Sequence, residues 1–125
     1  MTRKNLDKPI PYKPADKPAE TEKRIVINMT GRRPVSVIDS EWPIVAHAEY
    51  FSGPSPEESV VAGWLTVRRR GQGRTLVFGS STVGDQGELI PTGVNAERAI
   101  RHIATELDCC PLAALVLNQL EPEAL

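Results

Sequence analysis

Four arginines crowd one short stretch of this chain: Arg68, Arg69 and Arg70 in succession, then Arg74 just past Gly71-Gln72-Gly73. A guanidinium stays charged at any physiological pH and presents a planar fork of N–H donors that matches carboxylates and phosphates. The chemistry such a cluster can do is anion recognition. Arg32 and Arg33 make a second basic pair, in a turn, and join the first group as one patch if that turn lies nearby. Charge at a hairpin tip also protects sheet edges and keeps a loop solvated. Three consecutive arginines and a fourth across the turn exceed that need. The candidate binding residues are therefore Arg68, Arg69, Arg70, Arg74, Arg32 and Arg33.

The other reactive side chains form no constellation. His47 and His102 are the only histidines, one on the polar face of a strand and one beside the apolar stripe of a helix. Each reads as a lone surface or boundary histidine rather than a general base. Cys109-Cys110 lacks the spacing of a zinc site or of a thioredoxin-type motif. The pair sits at a helix junction, where packing is the expected role, with Cys110 placed to cap the following helix. Glu57-Glu58 and Asp85/Glu88 are acidic loop residues without a partner histidine, and read as solvated. There is no Gly-x-Ser-x-Gly elbow, and Gly71-Gln72-Gly73 lacks the Lys and Ser/Thr of a phosphate-binding loop. The sequence thus points to no catalytic residue, no metal and no cofactor, and the protein is expected not to be an enzyme.

The arginines must be positioned by the runs that flank them. Gly63 to Gly79 reads as a β-hairpin, two β-rich runs joined through Gly71-Gln72-Gly73. A two-residue Gly71-Gln72 turn of type II′ pairs Val67 with Leu76 and Leu65 with Phe78, gathering one apolar patch on one face. A three-residue turn would pair Val67 with Val77 and leave Arg68 opposite Leu76. Since a one-residue slip flips every side chain, the even-length loop is the expected one. Upstream, Arg24–Met29 and Val35–Ile38 are short β-prone runs. Trp42–Tyr50 alternates cleanly, with Trp42, Ile44, Ala46, Ala48 and Tyr50 on one face, and the small alanines suggest that a helix packs there. Phe51–Ser59 and Ser80–Gly87 read as loops, the latter followed by an extended Glu88–Ile90.

Helices close the chain. Asn95 is a good N-cap, and Ala96, Ala99, Ile100, Ile103, Ala104 and Leu107 recur at helical spacing, while Arg98, Arg101 and Glu106 face outward. Pro111 starts a second helix to about Leu120, with Leu112, Leu115, Val116 and Gln119 as one stripe. That helix is apolar enough to serve the core and also to offer a homo-oligomer contact. Strands followed by helices predict an α+β fold: a four- or five-stranded, mostly antiparallel sheet with two C-terminal helices packed on one face.

Composition bounds the rest. The chain has 125 residues and a net charge of −1, so a general polyanion binder is disfavoured although a local basic patch is not. Residues 1–23 alternate prolines and lysines with few apolar residues, and are expected to be a disordered tail that either solubilises or docks on a partner through Ile10 and Tyr12. Residues 24–125 are the expected single domain. No apolar run is long enough to span a bilayer, no apolar leader begins the chain, and adjacent cysteines rarely pair, so a cytoplasmic protein without a membrane partner is expected.

The phrase Gly63-Trp-Leu-Thr-Val-Arg-Arg, then Gly73-Arg-Thr-Leu-Val-Phe-Gly79, then Ala99-Ile-Arg-His-Ile-Ala-Thr-Glu-Leu107, resembles small uncharacterised bacterial proteins carried on plasmids and phages. The likeness spans about half the chain. It implies a mobile-element accessory that binds and modulates something in the host. Arg70-Gly-Gln-Gly-Arg74 is also similar to arginine-glycine RNA-binding segments. The expected function is a small non-enzymatic binding protein that recognises a protein partner through its arginine tip. The alternatives are a nucleic-acid-binding protein using the same arginines on phosphates, and a housekeeping subunit of a larger assembly.

Overall fold

The computed structural model describes residues 23–71 and 73–120. The tail expected over residues 1–23 lies outside them except for Lys23, whose carbonyl accepts the Asp39 amide at 2.8 Å. Among the described residues six strands precede two helices: β1 (Arg24–Ile27), β2 (Val35–Ile38), β3 (Ile44–Ser52), β4 (Val60–Arg69), β5 (Thr75–Ser81), β6 (Gly84–Ile90), α1 (Glu97–Glu106) and α2 (Pro111–Leu117). Strands β3, β4, β5 and β6 form an antiparallel sheet in chain order, while β1 and β2 form a separate two-stranded one. The fold is α+β, as the order of elements predicts.

Three layers result. On one face of the large sheet, Ala46, Ala48, Leu65, Val67, Val77 and Ile90 pack against Ile100, Ile103, Ala104, Leu107, Leu112 and Val116 of the helices. On the other, Leu76 and Phe78 meet Ile27, Met29 and Trp42, with Ile25, Val35 and Val37 of the β1–β2 hairpin. Glycines let both layers close in. A Cβ at Gly79 would lie 2.8 Å from Leu107 Cδ1 on the helical side, and one at Gly87 would strike Asn28 O on the other.

This second covering layer explains why the central hairpin takes the pairing with Val67 opposite Val77 and Arg68 opposite Leu76. The expected even-length turn gathers all apolar residues on one face. With both faces buried that requirement disappears: Leu65, Val67 and Val77 go to the helices, while Leu76 and Phe78 go to the β1–β2 side. The turn closes with Gly73 N–H donating to Arg70 O at 2.7 Å and Arg70 N–H to Arg74 O at 3.1 Å. Gly71 supplies a φ of 56°.

Two further expectations are corrected. Ser80–Gly87 is not a loop but a second hairpin, with Ser81 paired to Gly84 and Ser80 to Asp85. Its polarity misled, because Ser80 Oγ–H donates to Asp85 Oδ1 at 2.6 Å across the ladder. In β3, a bulge at Val45 breaks the alternation: Ile44 pairs with Arg68 but Ala46 with Val67. Ala46 and Ala48 therefore lie beneath the helices as their size suggests, whereas Trp42 joins the opposite core and Ile44 is exposed.

Asn95 Oδ1 accepts the Glu97 N–H at 2.7 Å at the entry to α1, whose N-cap is Ala96, one residue after the expected Asn95. Helix α2 ends at Leu117, short of Leu120, and buries Leu112, Ala113 and Val116 but leaves Leu115 half exposed. Beyond it, the Gln119 side chain turns back onto edge strand β3. Its Nε2 donates to His47 O at 2.7 Å and its Oε1 accepts His47 N–H at 2.9 Å, standing in for a neighbouring strand. Thr30 caps the other edge in the same way, its N–H donating to Gly87 O at 2.8 Å and its Oγ1 accepting Gly87 N–H at 3.0 Å.

Candidate functional site

The hairpin register sorts the arginines. Arg68 faces the β1–β2 layer and is 7% exposed, with Nη1 donating at 2.8 Å to both Asp39 Oδ1 and Trp42 O. It ties the segment linking β2 to β3 onto the sheet, and is not part of the open tip. Its Nε is buried without a hydrogen-bond partner among the described residues. Arg69 has the opposite orientation, half buried, with Nε donating to Thr75 Oγ1 at 3.3 Å. Arg70 is exposed, 3.6 Å from Glu41 Oε1, an ion pair that solvent weakens. Arg74 is exposed and its side chain has no ion pair or hydrogen bond among the described residues.

Arg32 and Arg33 are exposed in the β1–β2 turn. The residues before that turn are tied to β6 near the β5–β6 turn, Asn28 through Asp85 and Thr30 through Gly87. The open end of β1–β2 lies at Arg68, through Asp39. Arg32 and Arg33 thus lie at the closed end of the β1–β2 hairpin, and Arg68 meets its open end.

Beside the arginine turn lies an open cleft of about 630 Å³. Arg69, Gly71, Gly73 and Thr75 form its sheet-side wall, Gly93 and Val94 come from the loop before α1, and Gln119, Leu120 and Val45 complete it. Among the described residues its lining holds one guanidinium, three apolar side chains and no carboxylate. Such a site offers charge to an anion and contact area to an apolar group next to it. Sequence reasoning missed the cleft because it joins residues 45, 69–75, 93–94 and 119–120.

A second polar group escaped notice for a similar reason. Register places Thr66 opposite His47, so His47 Nδ1 lies 2.7 Å from Thr66 Oγ1 and Nε2 lies 3.1 Å from Glu49 Oε2. Hydroxyl, imidazole and carboxylate are connected as in a nucleophile–base–carboxylate chain. Thr66 is only 4% exposed, which denies its hydroxyl the access that attack on a substrate requires. The group serves as a polar tie across β3 and β4, flanked by the Trp64 ring at 6.4 Å from that of His47.

Both cysteines are free. Cys109 is buried against Gly63, and desolvation, reinforced by the charges of Asp108 and Cys110, raises its thiol pKa. Cys110 precedes α2 but makes no side-chain cap; its Sγ–H points to Thr105 Oγ1 at 3.7 Å. Among the described residues, no group of three or more His, Cys, Asp or Glu is placed to hold a metal ion. Nor is any helix among them long and apolar enough to cross a membrane. At the far end of the β3–β4 hairpin, Tyr50, Phe51, Val60 and Val61 are exposed, an apolar surface distinct from the arginine cleft.

Comparison with protein-family models, with curated proteins and with solved structures finds no match for this chain.

Proposed function

We propose that this chain is a small non-enzymatic binding protein, an accessory of a mobile element, that recognises an acidic segment of a host protein. Arg69, Arg70 and Arg74 supply the positive charge and the neighbouring cleft supplies the seat. The observation that carries this reading is the cleft's lining, which among the described residues holds Arg69 and three apolar side chains but no carboxylate, beside an Arg74 with no ion pair among those residues. Charge-assisted bonds from a guanidinium to a carboxylate are among the stronger polar contacts available to a surface. The protein-partner reading is favoured over nucleic acid because Val45, Val94 and Leu120 suit an apolar side chain better than a sugar–phosphate backbone. Burial of Arg68 also leaves three arginines at this end rather than four. The reading invokes no cofactor and no catalytic step. Free cysteines fit a reducing, cytoplasmic setting. A homo-oligomer through α2 would rest on Leu115, the one large apolar side chain exposed on that helix.

Binding of labelled hexaglutamate and of labelled duplex DNA, each followed across a salt series, tests the choice of partner. The protein reading expects hexaglutamate to bind the more tightly at 0.15 M salt, in the order of physiological ionic strength. A steep log-linear loss of DNA affinity with salt, with hexaglutamate inert, would replace it by the nucleic-acid reading.

A further inference from the structure

We propose that Glu41 is a built-in competitor for the acidic partner: it holds Arg70, and a partner carboxylate binds by taking its place and bridging Arg70 and Arg74. The proposal rests on the reading that the arginine turn takes carboxylates, and it names the residue that regulates access to it.

The fold brings an acidic turn of its own to the hairpin. Asp39 and Glu41 belong to a short 3-10 helix between β2 and β3, and each meets one arginine of the run. The two pairs differ in kind. Arg68 Nη1 lies 2.8 Å from Asp39 Oδ1, the length of a charge-assisted hydrogen bond, and the Arg68 side chain is 9% exposed. That pair is part of the core. Arg70 Nη2 lies 3.6 Å from Glu41 Oε1, beyond hydrogen-bond length, and the two side chains are 56% and 47% exposed. A pair of that kind is weak and gives way to a better-placed anion.

Backbone ties keep Glu41 within reach of Arg70. On one side of it Asp39 is fixed by Arg68 and by its own N–H, which donates to Lys23 O at 2.8 Å. On the other side Trp42 O accepts from Arg68 Nη1 at 2.8 Å, and Pro43 O accepts the Arg69 N–H at 3.1 Å. With its neighbours anchored, Glu41 meets Arg70 at a high effective concentration, so even a weak contact competes.

The competition falls at a definite place. Arg70 N–H donates to Arg74 O at 3.1 Å, which sets the two residues opposite each other just past the last ladder pair, Arg69 and Thr75. Opposed Cβ atoms stand about 4.5–5.5 Å apart, so the two guanidinium groups repel each other and both can reach one carboxylate. Glu41 offsets that repulsion from the Arg70 side. A partner carboxylate that bridges both arginines exchanges one long ion pair for two contacts. Glu41 thereby sets the threshold that an acidic ligand must pass.

The test is a double-mutant cycle: the affinity of labelled hexaglutamate for the full chain, Glu41→Gln, Arg70→Gln and the double variant, with the melting temperature of each. All are expected to fold, since both side chains are about half exposed. Glu41→Gln is expected to bind hexaglutamate about two- to threefold more tightly than the full chain, the scale of one exposed ion pair. In the Arg70→Gln background the same substitution is expected to change nothing, because the interaction it relieves is already gone. Equal binding by the full chain and Glu41→Gln would overturn the proposal and leave the acidic-partner reading standing. An undiminished gain in the Arg70→Gln background would also overturn it, as an effect of net charge rather than of the pair. Hexaglutamate bound by none of the proteins would remove the acidic-partner reading, and the proposal with it.

Discussion

Arg68 and Arg74 are the same residue type six positions apart, yet their environments set opposite consequences for substitution. Replacing Arg68 with Met keeps the aliphatic stem but leaves the Trp42 carbonyl without its 2.8 Å donor. The expected loss of stability is about 1–3 kcal/mol, the cost of an unsatisfied buried group, read from chemical denaturation. Arg74→Gln should change stability by no more than about 0.5 kcal/mol, because the side chain is exposed and has no partner among the described residues. Nothing in the run Arg68-Arg69-Arg70 distinguishes one guanidinium from the next. The difference arises from strand pairing, which the local sequence left open between two registers. Cys109 gives a residue-scale prediction with a sign. Its raised thiol pKa means that the folded state holds the proton more tightly than the unfolded chain. The stability it contributes is complete below the unfolded pKa, about 8.5, and is lost as pH rises above that value. Denaturation midpoints should fall more steeply above pH 8.5 in the native chain than in Cys109→Ala; parallel profiles would contradict the burial argument.

At the scale of elements, the central hairpin is where composition and patterning misled most. Its apolar residues were legible as core, but not as two cores. Leu76 and Val77 are adjacent and face opposite ways, each at most 1% exposed. Leu76→Ala and Val77→Ala should therefore each cost on the order of 1–4 kcal/mol, as large-to-small changes in packed cores do. A sheet covered on one face alone would tolerate one of the two, so unequal responses, with one near zero, would contradict the three-layer fold. Helix α1 was the most legible element, because Asn95 and the spacing from Ala96 to Leu107 agree on where it starts and which side is buried. The β5–β6 hairpin was the least legible, because Ser80, Ser81 and Asp85 spend their polarity on each other across the strands. Edge protection was invisible from the sequence, since Gln119 and His47 are far apart in the chain. Gln119→Ala should speed hydrogen exchange at the His47 amide by up to about tenfold, the worth of one hydrogen bond, without unfolding the sheet.

For the whole molecule, strands followed by helices were enough to read an α+β fold. The layer made by β1 and β2 was not readable, since two four-residue strands carry too little pattern to declare that they leave the main sheet. That layer decides the site. It takes Arg68 out of solution and leaves Arg69, Arg70 and Arg74 beside a cleft assembled from four separate parts of the chain. The measurement that bears most directly on this account is the affinity of hexaglutamate for the full chain and for Arg69→Gln/Arg74→Gln, taken with the melting temperature of each. The account predicts an unchanged or slightly raised melting temperature and an affinity weakened by about 1 kcal/mol or more per lost contact, roughly fivefold each. Equal affinity in two folded proteins would contradict it, and would reduce the arginine turn to a solubilising tip.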